Sequence, residues 1–248
     1  MYGRAEQDAR EAGAARPAFR ATTPWRGGEP VVRLEKGVPD YVVNAFITLF
    51  IVIDPIGVAP VFVGLTARSD SAHRVRMAWR GVLLAALILY AFALGGPPLL
   101  VRLEVSLAAF RIAGGLLLFL LAVDMILVRP SGLRATTGEE TREAMDFEDI
   151  SVFPLAIPLI AGPGALTSLV LLMGRTGGEP VRIAWLLAVL AAVLVCSLLA
   201  LLFATRLSAW LGTTGTNVVA RVLGIVLAAL AVQYVLDGLQ AAGIVLGS

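Results

Sequence analysis

Few side chains in this sequence could do chemistry, and those that could are set among residues that cannot. Asp54 stands in FIVIDPIGVAPVF (50–62), broken otherwise only by Pro55, Gly57 and Pro60. A carboxylate placed there can bind a cation or a substrate amine, exchange a proton, or cap a helix that starts at Pro55. At a bilayer centre it costs about 2.5–3.5 kcal/mol on insertion scales, whereas a cap contributes only about 1 kcal/mol. The shortfall favours a polar cavity around Asp54, and capping is compatible with that. A second interruption, FPLAIPLIAGPGALTS (153–168), carries Pro154, Pro158, Gly162, Pro163 and Gly164. Thr167 and Ser168 follow it by about one helical turn and are placed to line the same cavity. Asn44 and Thr48 precede Asp54 and could lie along the same pathway, with helix–helix hydrogen bonding an equally good account. Gln233, a neutral amide in a third apolar stretch, is more often interhelical glue than a ligand.

Other chemistries find little support. His73 is the only histidine and Cys196 the only cysteine, so neither a zinc site nor an internal disulfide is expected, and no cofactor motif is present. The net charge of +2 is small and the arginines are dispersed, which argues against a nucleic-acid partner. Asp54 and Asp124 could suggest an intramembrane aspartyl protease, but by their places in their spans they differ in depth by roughly 10 Å. A dyad must share a proton over a few Å, so an enzyme is not expected. Asp124 and Asp237 lie near span ends where water can reach them. Arg111 and Arg221 are placed to snorkel to an interface. The acidic stretch Glu139–Asp149 reads as a solvated loop.

The elements that must position these residues are membrane spans. The 248-residue chain is 58% hydrophobic and 15% charged, against roughly 45–50% and 25% in soluble domains. Apolar runs long enough to cross a bilayer cover Tyr41–Ala67, Gly81–Val101, Ser106–Val128, Ser151–Met173, Ile183–Thr205 and Val218–Gln240. The expected fold is all-α, a polytopic membrane protein of six helices over 41–242, with the lipid bilayer as its first partner. Residues 1–40 mix Arg, Glu, Gly, Pro and Ala without periodicity and read as a disordered tail without a cleavable signal peptide. A polar loop spans 129–150. Asp54 and Gly162-Pro163-Gly164 fall at the midpoints of spans one and four, which should therefore be kinked or split into half-helices. Non-helical backbone at that depth must be buried in protein or line a wet cavity, and a half-helix starting there presents unpaired N–H groups to an anion.

Basic residues concentrate in the 67–80, 129–150 and 206–217 loops, which places those loops in the cytoplasm and both termini outside it. The seven basic residues of the tail oppose that orientation. RIAGGLLLFLLAVDMI (111–126) aligns without gaps on RVLGIVLAALAVQYVL (221–236), setting Arg111 on Arg221 and Gly114 on Gly224. At nearly the same offset, Pro55 falls on Pro163. Two copies of a three-helix unit, about 41–128 and about 151–240, would have to enter the membrane in opposite senses, because three is odd. That is the inverted-repeat plan of many secondary transporters.

ITLFIVIDPIGVAPVFVGLT, RIAGGLLLFL, FPLAIPLIAGPGALTSLVLL and RVLGIVLAALAVQYVLDGL together resemble the MarC family of bacterial and archaeal inner-membrane proteins over about residues 40–242. The long N-terminal extension departs from the family pattern. The resemblance implies a six-span inner-membrane protein grouped with LysE-type exporters of amino acids and small solutes. It also implies that Asp54, Pro55, Gly57 and Pro60 in span one, and Pro158, Ala161, Gly162, Pro163 and Gly164 in span four, are signature elements. Some relatives are described as neutral amino-acid transporters, so the resemblance suggests a small zwitterion as substrate. A non-transporting membrane scaffold or accessory subunit is the competing expectation. Apolar helix faces can pack against lipid, a further copy of the chain in a homo-oligomer, or each other.

Overall fold

Hydrocarbon offers no hydrogen bonds, so a chain this apolar folds by closing each backbone ladder within a helix. The computed structural model describes residues 38–127 and 149–244. The expected tail up to residue 37, and the polar loop over 129–148, lie outside the described residues. Eight helical segments follow in order: α1 (Val38–Ile53), α2 (Pro55–Leu65), α3 (Ser71–Arg102), α4 (Leu107–Leu127), α5 (Ser151–Ile160), α6 (Pro163–Arg175), α7 (Pro180–Leu202) and α8 (Ala204–Ala241). No strand occurs among the described residues. Taking α1 and α2 together, five segments are long and apolar enough to cross a membrane; the pair α5–α6, bent by 53°, makes a sixth.

Two boundaries differ from the sequence reading. The basic 67–80 stretch is mostly helix, because Asp70 caps α3 by accepting from the His73 N–H at 2.9 Å and the helix runs on from Ser71. Charged residues are tolerated in a helix that extends beyond the bilayer, and hydropathy alone sees only the apolar part. The 206–217 stretch is likewise helical, as the first turns of α8. Its break is Gly212, at φ 61° and ψ −178°, a conformation that suits glycine.

Packing fixes the directions of the helices. Tyr41, at the start of α1, donates from its hydroxyl to the Leu172 carbonyl near the end of α6 at 3.1 Å, while a Cβ on Gly164, at the start of α6, would lie 3.3 Å from Val52. Helices α1 and α6 are therefore antiparallel. The same reasoning makes α4 and α8 antiparallel. Gly115 fits against the Ala231 carbonyl, Gly224 against Ala122 and Met125, and Gly238 against Ile112 and the Ala108 carbonyl, each too close for a side chain. Small residues at such seams let backbones approach where no hydrophobic force between helices exists. Helix α3 carries its own small face, with Ala78, Gly81, Ala85, Ala93 and Gly96 buried. Gly81 abuts Leu155 of α5, and Gly96 abuts Val170 of α6. Away from these seams large apolar side chains such as Leu83, Leu87 and Val222 point outward, as lipid-facing residues must.

Two ends of the bundle follow. One carries Val38, the end of α6 and the end of α8, joined by the Arg175–Asp237 ion pair at 2.9 Å. The other carries the α2–α3 turn and the entry to α5, joined by Arg80–Asp149, also at 2.9 Å.

Candidate functional site at the two helix breaks

The first break is one residue wide. Asp54 adopts a left-handed conformation (φ 46°, ψ 69°), which Asp and Asn tolerate better than most side chains, and so turns the chain between α1 and α2. Its backbone stays tied to both halves, with its N–H donating to the Phe50 carbonyl at 2.9 Å and its carbonyl accepting from Val58 at 3.1 Å. Its carboxylate accepts from the Gly57 N–H at 3.0 Å, capping α2, and Pro55 supplies a first helical residue with no N–H to satisfy. Gly57 leaves room for this cap: a Cβ at that position would fall within the Asp54 carboxylate and push that side chain aside. Asp54 is only 1% exposed.

The second break is built from backbone. In α5 the turns are wide, the Leu155 N–H reaching the Ile150 carbonyl at 3.2 Å and the Ala161 N–H the Ala156 carbonyl at 2.9 Å. Phe153 and Ile157, each preceding a proline, are extended rather than helical, as the clash with the following ring demands. Gly162 is extended and Pro163 opens α6, with no side chain capping that helix. A Cβ on Gly162 would stand 2.5 Å from the Pro158 carbonyl oxygen.

The breaks lie close together. Gly164 packs against Val52 and Leu121, and these three residues with Pro158, Gly162 and Pro163 line a small cavity of about 10 Å³, close to the least volume that holds one water. Asp54 is not among its lining residues. The other sequence-predicted residues divide by exposure. Thr48, Thr167 and Ser168 are buried; Asn44, Gly57, Pro60, Pro158 and Gly162 are half-buried; Pro163 and Gln233 are exposed. An exposed Pro163 is physically consistent at this depth, because proline has no N–H to leave unpaired.

Sequence reasoning missed one cluster at the Arg175 end. Asp237, expected to be simply solvated, pairs with Arg175 and accepts from the Gln233 side-chain amide at 2.6 Å. The Arg175 guanidinium lies over the Tyr234 ring, 5.0 Å from its centroid. Tyr234 is 2% exposed, and its hydroxyl lies near Thr48 without a hydrogen bond of good geometry. Ser168 Oγ is also buried without a partner. The tyrosine in AVQYVLDGL was the one available signal, since a buried tyrosine hydroxyl seeks a partner. Among the described residues no group of His, Cys, Asp and Glu could hold a metal ion.

Comparison with known proteins places the chain. A profile described as MarC family integral membrane protein matches residues 40–242. The UPF0056 membrane protein of Archaeoglobus fulgidus is 39% identical over 197 residues, covering 79% of this chain and 90% of the relative. UPF0056 membrane protein YvbG of Bacillus subtilis is 33% identical over 200 residues, with 81% and 94% covered. UPF0056 membrane protein YhcE of Escherichia coli is 32% identical over 199 residues, with 79% and 90% covered. No solved structure matches. With bacterial and archaeal relatives matched across the whole membrane domain, the chain belongs to the MarC family of multi-pass integral membrane proteins.

Proposed function

We propose that this protein is a secondary carrier of a small solute, an amino acid or similar small metabolite, and not an enzyme. One observation carries the reading: two spans interrupted at mid-length, in corresponding places of the two halves, meet in antiparallel fashion inside the bundle. Interrupted segments so related are the pattern of transport sites built from inverted repeats. The antiparallel pairing of α1 with α6 and of α4 with α8 supports two inverted three-helix units, about 41–128 and 151–240. Asp54 is the group for a substrate amine or a coupling proton, and the N-terminal turn of α6 suits a carboxylate. The bundle end carrying the α2–α3 turn and the entry to α5 is the cytoplasmic one on the distribution of arginine, which puts both termini on the other side.

A second reading, a non-transporting scaffold, draws on a specific observation: Asp54 is capped, buried and absent from the lining of a cavity that holds at most about one water. Counterflow of radiolabelled amino acids and small metabolites in proteoliposomes separates the two. The carrier reading expects saturable exchange of one solute class, abolished or uncoupled from protons in Asp54→Asn and blocked in Gly162→Leu. No exchange by folded, correctly oriented protein would favour the scaffold.

A further inference from the structure

Two independent helix registers bring four hydroxyl-bearing residues to one level of the bundle. In the α1–α6 pair, Tyr41 meets Leu172 and Val52 meets Gly164, which sets Thr48 opposite Thr167 and Ser168. In the α4–α8 pair, Gly115 meets Ala231 and Val235, which sets Tyr234 beside Gly114, and Gly114 itself abuts Thr167. The Tyr234 hydroxyl lies toward Thr48. Thr48, Ser168 and Tyr234 are 1%, 0% and 2% exposed; the Ser168 hydroxyl lacks a hydrogen-bond partner, and that of Tyr234, near Thr48, makes no hydrogen bond of good geometry. Unsatisfied hydroxyls are costly in a membrane interior. The level lies roughly 9 Å along α1 from the Asp54 break on one side and roughly 10–12 Å along α6 from Arg175 on the other.

Above it sits the Arg175–Asp237 ion pair, with side chains 21% and 28% exposed. It is braced by Gln233 on the second carboxylate oxygen and by the Tyr234 ring beneath the guanidinium. It joins α6 to α8, the two helices that carry Ser168 and Tyr234. We propose that Thr48, Ser168 and Tyr234 form a binding station for the carboxylate of a small solute, and that the Arg175–Asp237 pair is the gate above it. The inference rests on the carrier reading. A carboxylate accepts from both unsatisfied hydroxyls at once. When α6 and α8 part, Arg175 loses its ionic partner at the edge of the station, and the solute carboxylate takes over the role that Asp237 plays in the closed state.

Accessibility tests this without knowledge of the substrate. In full-length protein in proteoliposomes, with Cys196→Ala as background, Thr167→Cys reports entry of a membrane-impermeant methanethiosulfonate from each side. Asp237→Asn should raise its modification rate from the Arg175 side by up to about fivefold, the shift expected on losing an ion pair worth about 1 kcal/mol. The charge-reversed pair Arg175→Asp with Asp237→Arg should restore slow modification, which a general loosening of packing would not do. If Asp237→Asn fails to fold, Gln233→Ala weakens the same pair and should raise the rate less. In the opened variant acetate should slow modification and methylammonium should not, and Ser168→Ala with Tyr234→Phe should remove the acetate effect. An unchanged rate in Asp237→Asn and Gln233→Ala overturns the gate. Protection by methylammonium, or acetate protection that survives loss of both hydroxyls, overturns the station. Counterflow can fail while gating and protection are as described, which would overturn the carrier reading alone.

Discussion

Spans one and four solve the same problem with different materials. Each must interrupt a helix deep in the bundle, where an unpaired N–H has no water to turn to. Span one does it in a single residue, with the Asp54 carboxylate turned back on the Gly57 N–H. Span four uses two prolines and a run of wide turns, closes its hydrogen bonds from backbone N–H to carbonyl, and begins α6 at Gly162-Pro163 with no side-chain cap. Its carboxylate stands at the entry instead: Asp149 accepts from the Ser151 N–H at 2.9 Å and from the Ser151 hydroxyl, before α5 begins. The difference teaches that the break in span one is held by a side chain and can be altered by changing that side chain. The break in span four is held by backbone shape and can be altered only by crowding it.

The largest effect should come from crowding. Gly162→Ala would set a methyl 2.5 Å from the Pro158 carbonyl oxygen, a backbone atom that cannot swing aside, and should destabilise by about 3 kcal/mol, the upper range for overpacking. Gly57→Ala displaces only a side chain and should lose roughly 1–2 kcal/mol, mainly the cap. Gly64→Ala, with nothing near it, is the neutral control. Thermal melting of the purified protein ranks the three, and equal losses at Gly57 and Gly162 would break the distinction between side-chain and backbone closure.

Next in size is the Asp54 pair. Asp54→Ala removes the cap and leaves a left-handed backbone under an alanine, for a loss of about 2–3 kcal/mol combining capping with left-handed strain. Asp54→Asn keeps an acceptor and a residue that tolerates that conformation, so its melting temperature should stay close to native. A large loss in Asp54→Asn would mean that the charge itself holds span one together.

Smallest is the entry to span four. The Ser151 hydroxyl and backbone N–H, together with Arg80, hold the Asp149 carboxyl below its ordinary value against partial burial that pushes it up. A carboxylate depressed in the folded state stabilises above its unfolded pKa near 4 and loses that contribution as pH falls through the lower folded value. Asp149→Asn should therefore lower the melting temperature slightly near neutrality and converge with the native protein in acid, which flattens the acid limb. The partners are exposed enough that the effect should stay within about 1 kcal/mol.

Much of the first break was legible in the sequence, because Asp-Pro states a cap and a first helical residue side by side; that Gly57 also clears space for the carboxylate is seen only in the structure. The second was legible as an interruption only. Prolines at 154 and 158 announce a departure from the helix, but not that Leu155 and Ala161 reach five residues back. The start of α3 was hidden because hydropathy weighs side chains and says little about helix in water; Asp70 was the readable clue. The cluster at Arg175, Tyr234 and Asp237 was not legible at all, because it joins α6 to α8 through a register that no local pattern encodes. The glycines at 114 and 224 were legible as matched marks, and the structure adds that Gly224 and the adjacent Gly115 sit in the same seam.

That seam has a consequence for how the protein is made. Helix α4 is made well before α8, yet the grooves at Gly115 and beside Ile112 wait for residues of α8. Until then its glycine face meets lipid or another transient neighbour, and the close backbone contacts of this seam form only after spans four and five have been made. Assembly of α4 with α8 is thus a late, post-insertion event, and a nascent chain arrested before α8 would carry every residue of both breaks without the helix that packs against α1 and α2.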